Sequence, residues 1–348
     1  MAVKVVDLFC GAGGLTHGLR LAGLDVVAGI DLESACRVAY ENNNDAVFIE
    51  KDISLVTKEE INDLFGSADI RVLAGCAPCQ PFSKYTQGLN KSEDKKWPLL
   101  YEFARLIAEC QPDLITMENV PDVTKHKVYD DFVNNLKKNG YFVWADTVDC
   151  TKYEVPQNRL RHVLLASKLG PIGFVQAFSS VSKTVQDAIE HLPEIRHGDI
   201  DEHDPLHRSS KLSELNLKRI IASKPGGTWR DWPQNLLAAC HQKESGKGYG
   251  SVYGRMEWNK PSPTITTLCY GFGNGRFGHP TQDRAISLRE AALLQTFPLN
   301  YQFARKGDPI KMKNIGKMIG NAVPVNLGKA IGISLVEHLK VYDATCLT

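Results

Sequence analysis

Two short segments carry residue types that could do chemistry together. Residues 74 to 83 read AGCAPCQPFS and place Cys79 in a Pro-Cys-Gln loop just after an apolar run. A cysteine thiolate is a strong nucleophile and can form a covalent bond with a substrate. Residues 7 to 15 read DLFCGAGGL and bring three glycines to the end of another apolar run, where bare backbone can approach a ligand. The two segments are therefore the first candidates for a nucleophile and for a nucleotide site.

The glycine spacing argues against a nicotinamide cofactor. A dinucleotide fingerprint reads GxGxxG, whereas this segment reads GxGG. Asp31 follows Gly11 by twenty residues, where a carboxylate can accept both ribose hydroxyls, and Asp52 follows the next apolar run, where it can accept from an adenine amino group. Together these residues predict an adenosine pocket. Taken singly, a glycine turn is as often only a tight loop, and an Asp after a strand is usually a helix cap.

Cys79 admits other interpretations when its segment is considered alone. With Cys76 it forms a CxxC pair, which occurs in redox proteins, and His203 and His207 could complete a zinc site at HxxxH spacing. The two halves lie much farther apart in the chain than zinc ligands usually do, so we expect no metal. A buried, inert cysteine is the ordinary alternative.

Two further sets of polar residues follow apolar runs. Glu118 begins an ENV sequence, and Gln157, Arg159 and Arg161 are spaced two apart, so an extended chain would point them to one face. Alone, Glu118 would be a solvated turn carboxylate and the arginines surface charges. Their meaning depends on the residues that accompany them.

The elements that must position these residues are those of an α/β protein. From residue 3 to about 167, short β-branched runs alternate with helix-length patterns, which predicts βαβ units and a Rossmann-like, doubly wound, mostly parallel sheet. We predict seven strands: Val3 to Phe9, Asp25 to Ile30, Ala46 to Glu50, Ile70 to Gly75, Leu114 to Met117, Tyr141 to Cys150, and Arg161 to Ser167. The helices between them include Leu15 to Ala22, Ser34 to Asn42, Leu99 to Cys110, and Val128 to Asn139.

The pattern changes after about residue 180. Stretches such as KPGGTWRDWP and YGFGNGRFGHP predict a smaller, loop- and strand-rich domain over residues 181 to 285. Helical periodicity returns at SLREAALLQTF and in a closing segment NLGKAIGISLVEHLK. We therefore expect a catalytic lobe over residues 1 to 180, a small lobe over 181 to 285, and a hinge with a final helix over 286 to 348 that returns to the first lobe.

Composition limits the classes of function. No apolar run reaches the length of a membrane helix, and the N-terminal sequence lacks the pattern of a secretory signal, so we expect a cytoplasmic protein without membrane contact. Nine cysteines at irregular spacings predict reduced thiols rather than a disulfide framework. The net charge is only +1, but between Pro205 and Lys260 ten Lys or Arg stand against four acids, an excess that suits a polyanion or a solvated loop surface.

The motifs in their order resemble one family. DLFCGAGGL, PCQPFS, ENV, QNRLR, PSPTIT, LREAALLQTFP and GNAVP occur in the order and at roughly the separations of the DNA cytosine-5 methyltransferases, over nearly the whole chain. The compact motif set is similar to that of the prokaryotic restriction-modification type. Cys76 departs from the pattern, since many relatives carry glycine there, and it adds a thiol close in sequence to Cys79.

The resemblance implies a role for individual residues. It implies a target-base site made of Cys79, Glu118, Arg159 and Arg161. It implies a site for S-adenosyl-L-methionine, with S-adenosyl-L-homocysteine as product, lined by Phe9, Gly11, Ala12, Gly13, Gly14, Asp31, Leu32, Asp52, Ile53, Pro78, Leu99, Asn321 and Val323. The variable region falls where relatives read DNA, and the candidates for DNA contact are Ser83, Arg230, Arg255 and Thr266, together with Trp229 and Trp232.

The implied reaction is methylation of carbon 5 of cytosine. That carbon is a poor nucleophile, so the Cys79 thiolate would first add to carbon 6 while Glu118 contacts ring nitrogen 3 and Arg161 the base oxygen. The base must be flipped out of the duplex to be reached. We expect a monomer that acts on double-stranded DNA, with a cognate restriction endonuclease acting independently. The rivals are a tRNA cytosine-5 methyltransferase of the same family and a catalytically silent DNA-binding relative.

Overall fold

A seven-stranded sheet organises the first half of the chain. The computed structural model describes residues 1–78, 98–246 and 248–346. The strands are β1 (Val3–Leu8), β2 (Asp25–Asp31), β3 (Val47–Glu50), β4 (Ile70–Gly75), β5 (Leu114–Asn119), β6 (Phe142–Asp149) and β7 (Leu160–Ser167). Each predicted strand boundary lies within two residues of the observed one, and the predicted α/β fold is confirmed.

The strand order creates a switch point at the centre of the sheet. The order is β3-β2-β1-β4-β5-β7-β6, and β1, β2, β3, β4 and β5 run parallel while β7 is antiparallel to both β5 and β6. The chain passes from β1 to β2 and β3 on one side of β1, and then returns to place β4 on the other side of β1. In open α/β sheets, ligands bind outside the carboxyl ends of the strands at such a reversal. The glycine segment follows β1 and the Cys79 segment follows β4, so both begin at this point.

Ten helices are assigned within the described residues. They are α1 (Gly14–Leu21), α2 (Arg37–Asn44), α3 (Lys58–Phe65), α4 (Pro98–Cys110), α5 (Lys127–Lys138), α6 (Val185–Ile189), α7 (Glu214–Ala222), α8 (Leu288–Leu294), α9 (Met312–Asn321) and α10 (Val325–Cys346). Short 3-10 turns connect many of them. The four predicted helices of the first half are confirmed, although the one predicted from Ser34 begins with a 3-10 turn at Ser34–Cys36 and continues as α2.

Helix α3 was not among the predicted helices, although its start carries a readable signal. Thr57 accepts a hydrogen bond from the backbone N–H of Glu60, and the Glu60 side chain accepts one from the backbone N–H of Thr57. This reciprocal pair is a capping box, whose pattern T-x-x-E stands in the sequence. Ile61 and Phe65 bury the inner face of α3.

The chain divides into two compact units. The first consists of Met1–Tyr153, Leu160–Ala177 and Val323–Thr348, and the second of Glu154–Arg159 and Phe178–Ala322. The predicted domain boundaries at residues 180 and 286 stay predictions. The division into compact units falls at residues 177 and 322.

The first unit is held together by the sheet and by α10. A buried apolar cluster fills one face of the sheet, with Leu73, Phe103 and Met117 among its members. Helix α10 packs against α1 so closely that a Cβ atom at Gly18 would lie 2.4 Å from the carbonyl oxygen of Val325. By length and composition, residues 312–343 pass as a membrane-spanning helix, but 67% of the apolar window is buried inside the protein, as in a core helix.

The second unit has an aromatic and ionic core rather than a sheet. Among the residues described after β7, no strand is assigned, and the predicted short strands are isolated bridges such as the one between Arg255 and Gly278. Repeated Gly and Pro prevent longer ladders. Arg284 donates to both carboxylate oxygens of Glu290, each at 2.7 Å, and the pair is fully buried. Such a paired buried charge fixes the start of α8.

Candidate active site

The glycine segment forms a strained turn between β1 and α1. Phe9 has a φ of 59°, and Gly11 and Gly13 have φ of 51° and 87°. Left-handed backbone is costly for a residue with a side chain, and such strain often accompanies a ligand site. A Cβ atom at Gly11 would meet nothing within 4 Å, so open space lies above this residue. Ala12, Gly13 and Gly14 are buried beneath the turn.

Asp31 joins the end of β2 to this turn. Its Oδ2 accepts from the backbone N–H of Gly11 at 2.8 Å, and its Oδ1 accepts from the backbone N–H of Glu33 at 2.8 Å. Each carboxylate oxygen has a second lone pair that can accept another hydrogen bond. Asp31 is half-buried, which leaves that second acceptor position accessible to a pair of hydroxyl groups.

Asp52 presents a second acceptor at the end of β3. Its Oδ1 accepts from the backbone N–H of Ser54 at 2.9 Å and from the Ser54 hydroxyl at 2.8 Å. The backbone hydrogen bond contributes most, and together the two bonds lower the pKa of Asp52 below 3.8. The carboxylate therefore stays charged at neutral pH. The apolar neighbours differ: Leu32 is 68% exposed, while Ile53 is buried. An exposed leucine beside two acceptors suits the face of a planar base.

Arg105 holds the turn that follows Asp52. This α4 residue donates through Nη2 to the carbonyl oxygens of Ile53 at 3.2 Å and Val56 at 3.1 Å. Its remaining nitrogens pair with Glu102 at 2.7 Å and Glu109 at 2.9 Å. The sequence reasoning missed Arg105 because an arginine between two glutamates on a helix has the pattern of ordinary surface ion pairs.

Asp7 lies buried under the glycine turn. Its Oδ2 accepts a hydrogen bond from the hydroxyl of Thr16 at 2.6 Å, and that hydroxyl lies 3.1 Å from the Tyr40 hydroxyl. Burial raises the pKa of Asp7 from 3.8 to about 7. The network connects β1, α1 and α2 beneath the residues predicted to contact a cofactor.

Glu118 and Arg161 form an ion pair at the carboxyl end of β5. Nε of Arg161 lies 2.8 Å from Oε1 of Glu118, and only 14% and 8% of the two side chains are exposed. The pair is diagonal across the ladder, since Glu118 stands opposite Val163 of β7. The next residue, Asn119, is buried and donates to the carbonyl oxygen of Ala77 at 3.1 Å. Asn119 therefore fixes the backbone two residues before Cys79.

Cys79 and Ser83 lie outside the described residues, and Pro78, just before them, is exposed. Leu99, near the start of α4, is partly buried against the core of the first unit. Burial, followed by the charges of Glu118 and Asp7, raises the pKa of the Cys76 thiol well above 9.0. A thiol that resists ionisation is a poor nucleophile and a poor partner in a redox CxxC pair.

Arg159 does not share a strand with Arg161. Strand β7 begins at Leu160, so the extended trio predicted from the spacing is broken, and Gln157 and Arg159 belong to the second unit. Arg159 is buried and donates to Gln157, to the carbonyl oxygen of Ile265 at 3.1 Å and to that of Ala322 at 3.2 Å. It therefore orders the backbone around it.

The last two residues predicted to contact the cofactor, Asn321 and Val323, lie at the end of α9 and in the turn after it. Asn321 is exposed and is the last residue of α9, whereas Val323 is buried in the first unit. Pro324 and α10 follow directly.

His207, a ligand in the alternative zinc hypothesis, uses both ring nitrogens in hydrogen bonds. They bond the Ser287 hydroxyl at 2.9 Å and the Pro193 carbonyl at 2.8 Å.

Several candidates for DNA contact are core residues, which corrects the sequence-based expectation. Arg255 is buried, and its guanidinium donates to the carbonyl oxygens of Ile220, Ser223, His279 and Gln282 and pairs with Asp283. Trp229 and Trp232 are buried in the aromatic cluster of the second unit. These side chains stabilise the fold and do not present themselves to a ligand. Arg230 and Thr266 are exposed.

Comparisons with known proteins agree with this arrangement. A family model described as C-5 cytosine-specific DNA methylase matches residues 3–337. The Type II methylase M.HgiDII of Herpetosiphon aurantiacus is 52% identical over 98% of this chain and 97% of its own length. The Type II methyltransferase M.Eco47II of Escherichia coli is 32% identical over 96% of this chain and 79% of its own length.

Solved structures show the same fold. A prophage-encoded candidate DNA modification methyltransferase of Escherichia coli aligns with a TM-score of 0.75 at 21% identity, covering 97% of this chain and all of that one. Methyltransferase EhMeth of Entamoeba histolytica aligns with a TM-score of 0.68 at 16% identity, over 97% and 99% of the two chains. The chain belongs to the C-5 cytosine-specific DNA methylase family, an enzyme family, and the predicted family and enzyme class are confirmed.

Proposed function

We propose that this protein transfers the methyl group of S-adenosylmethionine to carbon 5 of a flipped-out cytosine in a specific DNA sequence, through a covalent bond to Cys79. The observation that carries the proposal is the Glu118–Arg161 pair at the end of β5, joined through the Asn119 bond to the backbone that leads into Cys79. This chemistry requires an acid and a cation, which lie at the end of β5, and a nucleophile, which follows the Asn119-bonded Ala77 by two residues in the chain.

The residues at the ends of β1, β2 and β3 fit an adenosine-bearing methyl donor. Asp31 retains acceptor positions for the ribose hydroxyls, and Asp52 retains Oδ2 for an adenine amino group. The open space above Gly11 admits a ligand against the backbone, and Leu32 offers an apolar surface. The other proposed contacts are Phe9, Pro78, Leu99, Asn321 and Val323. When bound, S-adenosylmethionine supplies an electrophilic methyl group on a sulfonium.

The protein side chains then prepare the cytosine. The Cys79 thiolate adds to carbon 6, which pushes electron density toward carbon 5 and onto the ring. Glu118, acting as the acid, gives a proton to ring nitrogen 3 and so neutralises that density, while Arg161 keeps the Glu118 carboxyl group in place and contacts the base oxygen. After carbon 5 is methylated, its proton passes to water, the bond between carbon 6 and sulfur breaks to release the Cys79 thiolate, and ring nitrogen 3 returns its proton to Glu118, which restores the aromatic ring. Arg159 orders the backbone near Ala322 and so acts on the site's geometry.

The cytosine must leave the helix for these contacts to form. Extrusion costs a few kcal/mol of stacking and pairing, which the contacts with the protein must offset. We infer that the exposed residues Arg230 and Thr266, together with Ser83, contact DNA, and that the buried Arg255 does not. The relatives named Type II methylases support a role as the modification enzyme of a cytoplasmic restriction-modification system.

The proposal is tested by locating the methyl group. The protein is incubated with labelled S-adenosylmethionine and either mixed-sequence duplex DNA or unmodified tRNA, and the nucleosides are analysed by mass spectrometry. We expect labelled 5-methylcytosine in DNA, and none with Cys79→Ala. Label in tRNA alone would replace the substrate by RNA. Absence of label from both, with DNA binding intact, would favour a silent DNA-binding relative.

A further inference from the structure

Helix α9 and the turn before it carry a group of exposed cations. We define the α9 basic surface as Arg305, Lys306, Lys311, Lys313 and Lys317, all of which are exposed. Between residues 305 and 317 the sequence holds a single acid, Asp308, so five cations stand against one carboxylate. The opposite face of α9 is buried through Ile315, Gly316, Met318 and Ile319. The helix therefore presents its charged face to solvent.

Four of these five cations differ from several cations of the basic segment between Pro205 and Lys260. In that segment Arg219 and Arg255 are buried on backbone carbonyls, and Lys260 pairs with Glu257 at 2.9 Å. Arg305, Lys306, Lys311 and Lys313, by contrast, form no ion pair with any carboxylate in the part of the chain that the structure describes. Exposed cations without carboxylate partners remain available to a polyanion.

The α9 basic surface is rigidly connected to a proposed site residue. A Cβ at Gly320 would lie 2.3 Å from the backbone of Thr266, so α9 is pressed against the PSPTIT segment. At the carboxyl end of α9, Gln295 donates to the Ile319 carbonyl at 2.7 Å, and both Gln295 and Arg159 donate to the Ala322 carbonyl. Movement of α9 would break these bonds, so the spacing between its cations and Arg159 is fixed within the second unit.

The basic segment of the second unit contacts the chain at the start of α9. Arg208 donates to the carbonyl oxygen of Ile310 at 3.2 Å, and the Ser210 hydroxyl lies 4.0 Å from the sulfur of Met312 at the start of α9. Lys211, the next residue, is exposed. The chain just before Lys211 therefore contacts residues on either side of Lys311.

We propose that the α9 basic surface binds the phosphate backbone of duplex DNA. The helical rise places Lys317 and Lys313 about 6 and 12 Å along α9 from its last residue, and duplex DNA carries a phosphate about every 3.4 Å of each strand. A row of cations at this spacing can contact successive phosphates of one strand. The inference rests on the proposed function, since it takes DNA as the substrate.

Salt dependence of equilibrium DNA binding tests this proposal. The variant Lys306→Gln, Lys311→Gln, Lys313→Gln is compared with the full chain on mixed-sequence duplex DNA, without a methyl donor. The matched control changes three exposed lysines of the first unit, Lys137, Lys138 and Lys340, to Gln. Each lost phosphate contact lowers the slope of log K against log salt by about 0.9. We expect the slope to fall by about 2 to 3 for the α9 variant and to stay unchanged for the control.

A second variant separates charge from fold. Replacement of the same three lysines by Arg keeps the charges and should keep the wild-type slope. An α9 variant with the wild-type slope, or one that matches the control, would overturn the proposal. So would a loss of slope on unmodified tRNA alone. Because the measurement needs no methyl transfer, failure of the proposed reaction in the labelling experiment would be seen separately.

Discussion

At the scale of single residues, the Glu118–Arg161 pair is the part of the site on which the proposed chemistry depends most. Its 2.8 Å contact fixes a carboxyl group at the end of β5, and both side chains are nearly buried. The sequence could indicate Glu118 through the ENV motif. It could not reveal that Arg161, and not Arg159, is the residue that pairs with it, because the break between Arg159 and β7 is a property of the fold.

Glu118→Gln should reduce the rate of methyl transfer by about 10²- to 10⁴-fold. General acid–base catalysis contributes that much, and an amide is too weak an acid to protonate ring nitrogen 3. The reduction should appear in kcat under saturating DNA and methyl donor, with DNA affinity nearly unchanged. Glu257→Gln, which removes a half-exposed carboxylate paired with Lys260, is the matched control. A Glu118→Gln enzyme with wild-type kcat would exclude Glu118 as the acid.

Asp7 should make stability depend on pH in an unusual direction. Its pKa is raised from 3.8 to about 7 by burial, so between these values the folded protein keeps a proton that the unfolded chain releases. The free energy of unfolding contributed by Asp7 should therefore be greatest below pH 4 and decrease by about 1.4 kcal/mol per pH unit up to about pH 7.

Asp7→Asn removes this ionisation and keeps an acceptor for Thr16. Chemical denaturation from pH 4 to 8 should show the variant gaining stability relative to the wild type as pH rises to 7, after which the difference becomes constant. Asp25→Asn, at an exposed position at the start of β2, serves as the control. Parallel pH curves for Asp7→Asn and wild type would contradict the raised pKa.

At the scale of elements, the strands could be predicted and some of the contacts between elements could not. Short β-branched and apolar runs between helix-length patterns indicate the strands, because the strands of a parallel sheet are buried on both faces, as β5 is along its whole length. The order of the strands then creates the switch point. Helix α3 has a capping signal that was available in the sequence. Arg105 had no such signal in the sequence, because the two carbonyl oxygens that it binds lie more than forty residues earlier in the chain.

Arg105→Met should loosen the turn from Ile53 to Val56 and weaken binding of the methyl donor. Loss of about 1.4 kcal/mol corresponds to a tenfold increase in the dissociation constant. We expect KM for S-adenosylmethionine to rise about tenfold while kcat stays within twofold. Arg20→Met is the control, because Arg20 also joins a carbonyl, that of Val26, and two carboxylates on another part of the first unit. A proportional fall in kcat with unchanged KM would rule out a positioning role.

At the scale of the whole molecule, the second unit was the least predictable part. Its composition indicated loops and positive charge, but composition does not tell a core arginine from a surface one. Arg255 became part of the core because four carbonyl oxygens and Asp283 surround it, whereas the exposed cations of α9 lie outside the segment that the charge count singled out. Long-range packing decides which charges remain available for DNA, and a single sequence does not contain that information in readable form.

The most direct test of the central claim is to trap the bond between the protein and the base. Duplex DNA in which cytosine is replaced by 5-fluorocytosine lets the thiolate add and the methyl group transfer, but carbon 5 then has no proton to lose, so the thiolate cannot be expelled. The account predicts a denaturant-resistant protein–DNA complex that forms only with S-adenosylmethionine, maps by peptide mass spectrometry to Cys79, and is absent from Cys79→Ala. A complex attached at Cys76, or methylated DNA formed without any trapped complex, would contradict it.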